Sequence, residues 1–192
     1  MAGASSYTAL LDACVLYPAP VRDLLLSLAC TDLFHAKWTQ QIEHEWVENL
    51  LANRNDLRRE QLAQTCTLMR QAVSDCLIEH YEKFIPLVNL PDENDRHVLA
   101  AAIGGHADTI VTFNLKDFPQ KSLDAFGIEA VHPDDFIMNQ MELSQPVAIA
   151  AVKAMRARLK NPPRSAEEFI ATIEDCQLPL TAAFLRKWQR LI

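Results

Sequence analysis

Asp12 lies inside an apolar run, Thr8 to Tyr17 (TALLDACVLY). A charge there costs several kcal/mol unless it is paired, protonated or bound to a cation. Asp92 and Asp95 follow a second apolar stretch, and Asp117 follows a third. If those stretches are parallel strands, all these acids fall at carboxyl ends, where open α/β sheets bind their ligands. Hard divalent cations take carboxylate oxygens and keep positions open for water and phosphate oxygens. With no Cys and His cluster in the chain, the ion expected is Mg²⁺ or Mn²⁺ rather than Zn²⁺. Each acid also has a plainer use. Asp92 and Asp95 stand where an N-cap and its N3 partner would steady the next helix, and Asp117, in Asp-Phe-Pro, suits a turn. Asp12 alone is hard to place without a function.

Two further acids lie in a helical stretch, Gln40 to Leu51, whose stripe is Ile42, Trp46, Val47, Leu50 and Leu51. The helical wheel puts Glu43 within the apolar arc and Glu45 at its border, so periodicity does not choose between them, and such glutamates also serve as a solvated face. The six histidines show no H-x-x-x-H or H-E-x-x-H spacing, and of them His97, beside Asp95, is the one to watch. A Ser-His-Asp triad has no nucleophile elbow to anchor it. Neither G-x-G-x-x-G nor G-x-x-x-x-G-K occurs, and four glycines leave little to cradle a nucleotide.

The elements that must position these acids alternate. The spacing predicts a strand at Thr8 running into a loop at Pro18 and Pro20, helices over Val21 to Ala29 and Gln40 to Leu51, and a long helical pattern over Leu57 to Lys83. Strands are expected at Phe84 to Leu90, Asp108 to Phe113 and Gly127 to Val131, with a small-residue helix, Arg96 to Ile103, ended by Gly104 and Gly105. Asp134 or Asp135 would cap a helix beginning near Phe136. Alternating strands and helices imply an α/β fold, a parallel central sheet flanked by helices. From Ser144 the pattern is all-helical: Ser144 and Pro146 open one helix, Ser165 and Glu168 form a capping box, and Thr181 starts a third. We therefore expect a first domain over 1–140 and a helical C-terminal extension over 141–192.

The chain has 192 residues, 49% of them hydrophobic, enough for a core without disulfides or a structural metal. Its five cysteines are odd in number and never form C-x-x-C, as expected of reduced thiols in a soluble cytoplasmic protein with no membrane span. The net charge of −7 argues against a polyanion partner until its distribution is considered. Residues 1–143 carry −11 and residues 144–192 carry +4. Lys153, Arg156 and Lys160 fall at i, i+3 and i+7 on one helical face, with Arg164 beyond them. They are either a cationic grip or a solvated face.

Three stretches together, LLDACVLYPAPVRDLLLSLA (10–29), IEHEWVENL (42–50) and DENDRHVLAAAIGGHADTIVTFNLKDFP (92–119), resemble a PIN domain. In particular they resemble the VapC-like toxin nucleases with a helical C-terminal extension. The resemblance implies a metal-dependent endoribonuclease with Mg²⁺ or Mn²⁺ held by Asp12, Glu45, Asp95 and Asp117, Glu43 being the competing ligand. Asp92, Thr112 and Asn114 would support the site or orient water. Many PIN domains carry Thr-x-Asp after the third strand; here the positions read Thr112, Phe113, Asn114, and an amide brings no charge. Ala13 and Cys14 stand where relatives often have Thr or Ser with Asn, removing a supporting hydroxyl.

The partners implied are an RNA substrate gripped by Lys153, Arg156, Lys160 and Arg164 near the acids, a cognate antitoxin docked on the 21–29 and 40–51 helices, and a second copy in a homodimer. The alternatives are a housekeeping nuclease, a PIN-like module that binds RNA or protein without cutting, and a scaffold for the helical extension.

Overall fold

The computed structural model describes residues 7–192. Four short strands, β1 (Thr8–Leu11), β2 (His35–Lys37), β3 (Thr109–Val111) and β4 (Glu129–Val131), form a sheet in the order β2-β1-β3-β4. Every pairing is parallel, with Ala9 opposite Ala36 and Thr109, and Ile110 opposite Ala130. Ala9 to Leu11 and all of β3 are buried, as central strands covered on both faces must be.

The helices of the first part are α1 (Ala13–Leu16), α2 (Ala19–Ala29), α3 (Gln40–Asn53), α4 (Arg59–Ala72), α5 (Arg96–Gly104) and α6 (Gln120–Leu123). They are followed by α7 (Pro133–Leu143), α8 (Gln145–Ala157), α9 (Ala166–Asp175) and α10 (Pro179–Lys187). Thr39 caps α3, its hydroxyl accepting from the Ile42 amide at 3.0 Å, and so aims the Ile42, Trp46 and Leu50 stripe into the core. In α5 the residues Val98 to Ala102 are all buried, because small side chains let the helix sit close on its neighbours. A β-carbon on Gly105 would meet the Ile78 side chain at 2.4 Å, so a larger residue at this helix end requires Ile78 to shift.

The structure departs from the sequence expectations at several elements. Phe84 to Leu90 forms no strand; Glu82–Leu87 is a 3-10 helix containing Pro86, which has no amide to give a ladder. The strand that pairs with the outer side of β1 is β2, three residues with an exposed His35 and no apolar run. The helical pattern over 57–83 stops at Ala72, and Asp75 and His80 take positive φ of 56° and 60°, which a helix cannot accommodate. The first strand ends at Leu11, so Asp12 lies at its carboxyl end rather than within it, capping α1. Neither Asp134 nor Asp135 caps α7; the His132 ring nitrogen accepts from the Asp134 amide at 3.2 Å instead. Thr181 lies inside the first turn of α10, which opens at Pro179, and Ser144 makes no side-chain cap on α8. The Ser165 and Glu168 capping box forms as the spacing predicts.

Helix α7 runs through the expected boundary at 140/141, so the chain passes from the sheet layer into the helical region along one helix. Helix α8 lies on α2, burying Ala148, Ile149, Val152 and Met155, while α10 packs on α7 and α9. All five cysteines are free thiols. Among the described residues no helix is long and apolar enough to cross a membrane.

Candidate active site

Asp12 leaves the carboxyl end of β1 and is 6% exposed. Its Oδ1 accepts from the Ala13 amide at 2.6 Å, and its Oδ2 from the Thr112 hydroxyl at 2.7 Å and the Cys14 thiol at 3.0 Å. Thr112 follows β3, so one carboxylate fastens together the ends of the two central strands. The Thr112 hydroxyl accepts from the Asn114 amide at 3.0 Å, and the Cys14 sulfur from the Phe113 amide at 3.2 Å. Cys14 thus supplies the supporting donor that the sequence reading counted as missing. Burial, with the negative charge of Asp12, pushes its thiol up to about 12, so it stays protonated and able to donate.

The two glutamates of α3 are separated by their partners. Glu43 is 4% exposed, and its Oε1 accepts from the Trp38 indole at 2.8 Å and from Arg70 Nε at 2.9 Å, while Arg70 also pairs with Oε2. This carboxylate is fully engaged in holding α4 against α3. Glu45, half-buried, accepts on Oε1 from Gln41 at 3.3 Å, and His97 Nε2 stands 2.8 Å from the same oxygen, within ion-pair distance. Tyr81 in turn donates to Gln41 at 3.0 Å.

Asp92, not Asp95, performs the local capping: its carboxylate accepts from the Asn94 amide at 2.9 Å, and Asp95 makes no side-chain cap at the start of α5. The Asp95 carboxyl is free for something else. Burial and the charges of Asp12, Asp92 and Asp117 push it up to about 6, with His97 acting in the opposite direction. Four acids from three segments, the end of β1, the turn before α5 and the turn after β3, therefore share one field. Asp117 belongs to a 3-10 turn, Leu115–Asp117, just past β3, and Asn114 beside it is exposed.

This gathering of oxygen donors suits a hard divalent cation, which would relieve the repulsion that raises Asp95. As they stand, no three His, Cys, Asp or Glu side chains among the described residues are close enough to enclose an ion. The carboxylates of Glu45, Asp95 and Asp117 retain free lone pairs for such an ion.

Of the four expected RNA-binding bases, Lys153 and Arg156 lie on α8 and Lys160 and Arg164 beyond its end at Ala157. Arg158, between Arg156 and Lys160 in sequence, donates to the Ser27 hydroxyl at 2.8 Å near the end of α2, which leads into the start of β2. That end of α8 thus faces the amino edge of the sheet, opposite the acids. Arg156 itself is tied to the carbonyls of Arg164 (2.8 Å) and Ile192 (3.0 Å). The apolar faces of the two helices expected to dock a partner are also committed, with Val21, Leu24, Leu25, Leu28, Ile42 and Trp46 all buried. What remains open is a groove between α2, α4 and α8, lined by Leu26, Leu68, Met69, Ala151, Ala154 and Arg158.

His97 stands out in the sequence by its place beside Asp95, whereas spacing gives no sign of Gln41. Their partner is Glu45, and only the packing of α5 beside α3 reveals it.

A parallel sheet with acids drawn from β1, α3, the start of α5 and the turn after β3 defines a class. The PIN domain family model matches residues 8–116, and the chain belongs to the PIN-domain family. A second family model, the VapC50 C-terminal domain, matches residues 133–187. Among curated proteins the chain is similar to "Putative ribonuclease VapC50" of Mycobacterium tuberculosis, 39% identical over 93 residues, or 48% of this chain and 54% of that protein. The chain thus spans about half the length of the curated relative it matches. No solved structure matches.

Proposed function

We propose that this chain is a metal-dependent endoribonuclease that hydrolyses RNA phosphodiester bonds and acts as the toxin of a toxin–antitoxin pair. The observation that carries the reading is Asp95, freed from capping and raised to about 6 by burial and by three other acids gathered at the carboxyl edge of the sheet. The name of the mycobacterial relative and the match to the VapC50 C-terminal domain support it.

In this reading Asp12, Glu45, Asp95 and Asp117 hold the ion, Mg²⁺ or Mn²⁺. A bound ion of this kind supplies an activated water and offsets charge on the scissile phosphate. Asp12 contributes a fixed charge, because Ala13, Cys14 and Thr112 hold its orientation. Asp117 and Asn114, on the turn after β3, orient the attacking water, and Asp92 adds negative potential behind Asp95. Protons compete with the ion for Asp95, so its occupancy rises with pH through about 6.

The test is cleavage of RNA by purified protein with Mg²⁺ or Mn²⁺ against EDTA, with Glu43→Gln and Glu45→Gln beside the wild type. Metal-dependent cleavage is expected, and Glu45→Gln loses it. Glu43→Gln cuts normally where folded but loses about 2 kcal/mol of stability, since the Arg70 pair is partly exposed. Cleavage that survives EDTA refutes the reading. Absence of cleavage by folded, partner-free protein would favour the non-cutting binding module, for which Asn114 in place of an acid is the supporting residue.

We further propose that the antitoxin lays an apolar segment in the α2, α4 and α8 groove, that the chain forms a homodimer, and that it works in the cytoplasm. Native purification that yields a lone monomer counts against the first two. Lys153, Arg156, Lys160 and Arg164 are assigned a more distant contact with a longer RNA. Replacing all four with Ala is expected to flatten the salt dependence of RNA binding, and an unchanged slope assigns them to a solvated face.

A further inference from the structure

We propose that His97 is a positioning residue that fixes which oxygen of Glu45 faces the other acids, so that Glu45 offers Oε2 alone to a divalent cation. The inference rests on the metal-nuclease reading above.

His97 Nε2 stands 2.8 Å from Glu45 Oε1, and the Gln41 amide reaches the same oxygen at 3.3 Å. No hydrogen bond from a described residue falls on Oε2. A carboxylate whose donors all gather on one oxygen has the other free for an ion. Tyr81 holds Gln41 in turn, so the arrangement is braced from the segment before the 3-10 helix at 82–87.

Packing does not account for this imidazole. His97 is 5% exposed, on α5 two residues after Asp95, and its Nδ1 is buried without a partner among the described residues. A leucine would fill comparable space without burying an unpaired polar atom. The 2.8 Å approach to Glu45 is the imidazole's one polar contact among the described residues, and because a carboxylate oxygen offers only lone pairs, Nε2 carries the hydrogen. The side chain thus couples α3 to the start of α5, the two helical positions that present Glu45 and Asp95.

Shape provides a discriminating test. A glutamine amide nitrogen reaches about as far as His Nε2, whereas an asparagine nitrogen reaches only as far as Nδ1. Mn²⁺ binding by isothermal titration, below the lowest melting temperature of the set, is expected to be near wild type in His97→Gln. It is expected to weaken by about 10- to 100-fold in His97→Asn and His97→Leu. Wild-type affinity in the Asn and Leu variants overturns the proposal, and so does a Gln variant as weak as Leu.

A second measurement needs no variant to fold. The ¹⁵N-detected imidazole signal of His97 in wild type is expected to show hydrogen on Nε2 and to shift on addition of Mg²⁺. A signal indifferent to Mg²⁺, in protein that binds the ion, overturns the inference while leaving the nuclease reading intact. Wild type that neither takes up Mn²⁺ nor cuts with it overturns both.

Discussion

Asp12→Asn is expected to reduce metal-dependent RNA cleavage on the order of a thousandfold while leaving the fold in place. The amide keeps an oxygen for the Ala13 amide hydrogen, so α1 remains capped, and the Thr112 hydroxyl can turn to accept from the new NH₂ group. What disappears is the charge. The same substitution removes one of the repulsions acting on Asp95, so that residue's titration midpoint should fall from about 6 toward the ordinary carboxylate range. Carboxyl-detected NMR titration of the two proteins reads the shift, and cleavage assays at matched folding read the activity. If cleavage persists within tenfold of wild type, Asp12 does not hold the ion. If Asp95 titrates unchanged, the acids do not share a field.

The largest loss of stability is expected from Asp134→Ala, a residue far from the acids in role. Helix α10 has no side-chain cap of its own, and Asp134, 3% exposed at the start of α7, supplies one from a distance. Its carboxylate accepts from the Leu180 amide at 2.7 Å, the Thr181 amide at 2.8 Å and the Thr181 hydroxyl at 2.7 Å. Removing it leaves the buried Thr181 amide and hydroxyl and the half-buried Leu180 amide without their acceptor, a loss of about 3 kcal/mol. For a chain of this size that lowers the melting temperature by roughly 6 to 12 °C. Asp134→Asn should fall between, since its amide accepts at one oxygen but turns hydrogens toward a second donor. Calorimetry measures the difference, and hydrogen exchange at Leu180 and Thr181 locates it. A melting temperature within two degrees of wild type would mean that water caps α10 equally well.

Much of the site was legible because local patterns and chemistry coincide there. An acid interrupting the apolar run at Asp12 marks the end of a buried strand, and the stripe of Ile42, Trp46 and Leu50 orients α3 without further information. What spacing could not decide depends on partners distant in sequence. Glu43 and Glu45 are equivalent until Trp38 and Arg70 claim the first and His97 the second. Strand β2 escaped notice because three residues, His35, Ala36 and Lys37, carry no periodicity; it exists because β1 offers an edge to pair with. The stretch Phe84 to Leu90 misled for the opposite reason, having strand-like composition but a proline in its middle. Of the bases expected on one helical face, Lys153 and Arg156 lie on α8, but the helix ends at Ala157 and Lys160 falls in the turn beyond it, while the Arg158 contact with Ser27 directs that end of the helix away from the acids.

The bond between Asp12 and Thr112 spans 100 residues of chain. During synthesis the amino-terminal strand leaves the ribosome long before the strand that must lie beside it, and pairing has to wait for closure of that loop. Asp95 and Asp117 are delayed in the same way, on either side of β3. The acids therefore cannot converge on a nascent chain until β3 and the turn after it have been made. A protein that cuts RNA would in this way remain inert beside the ribosome and message that produce it until the turn carrying Asp117 has emerged.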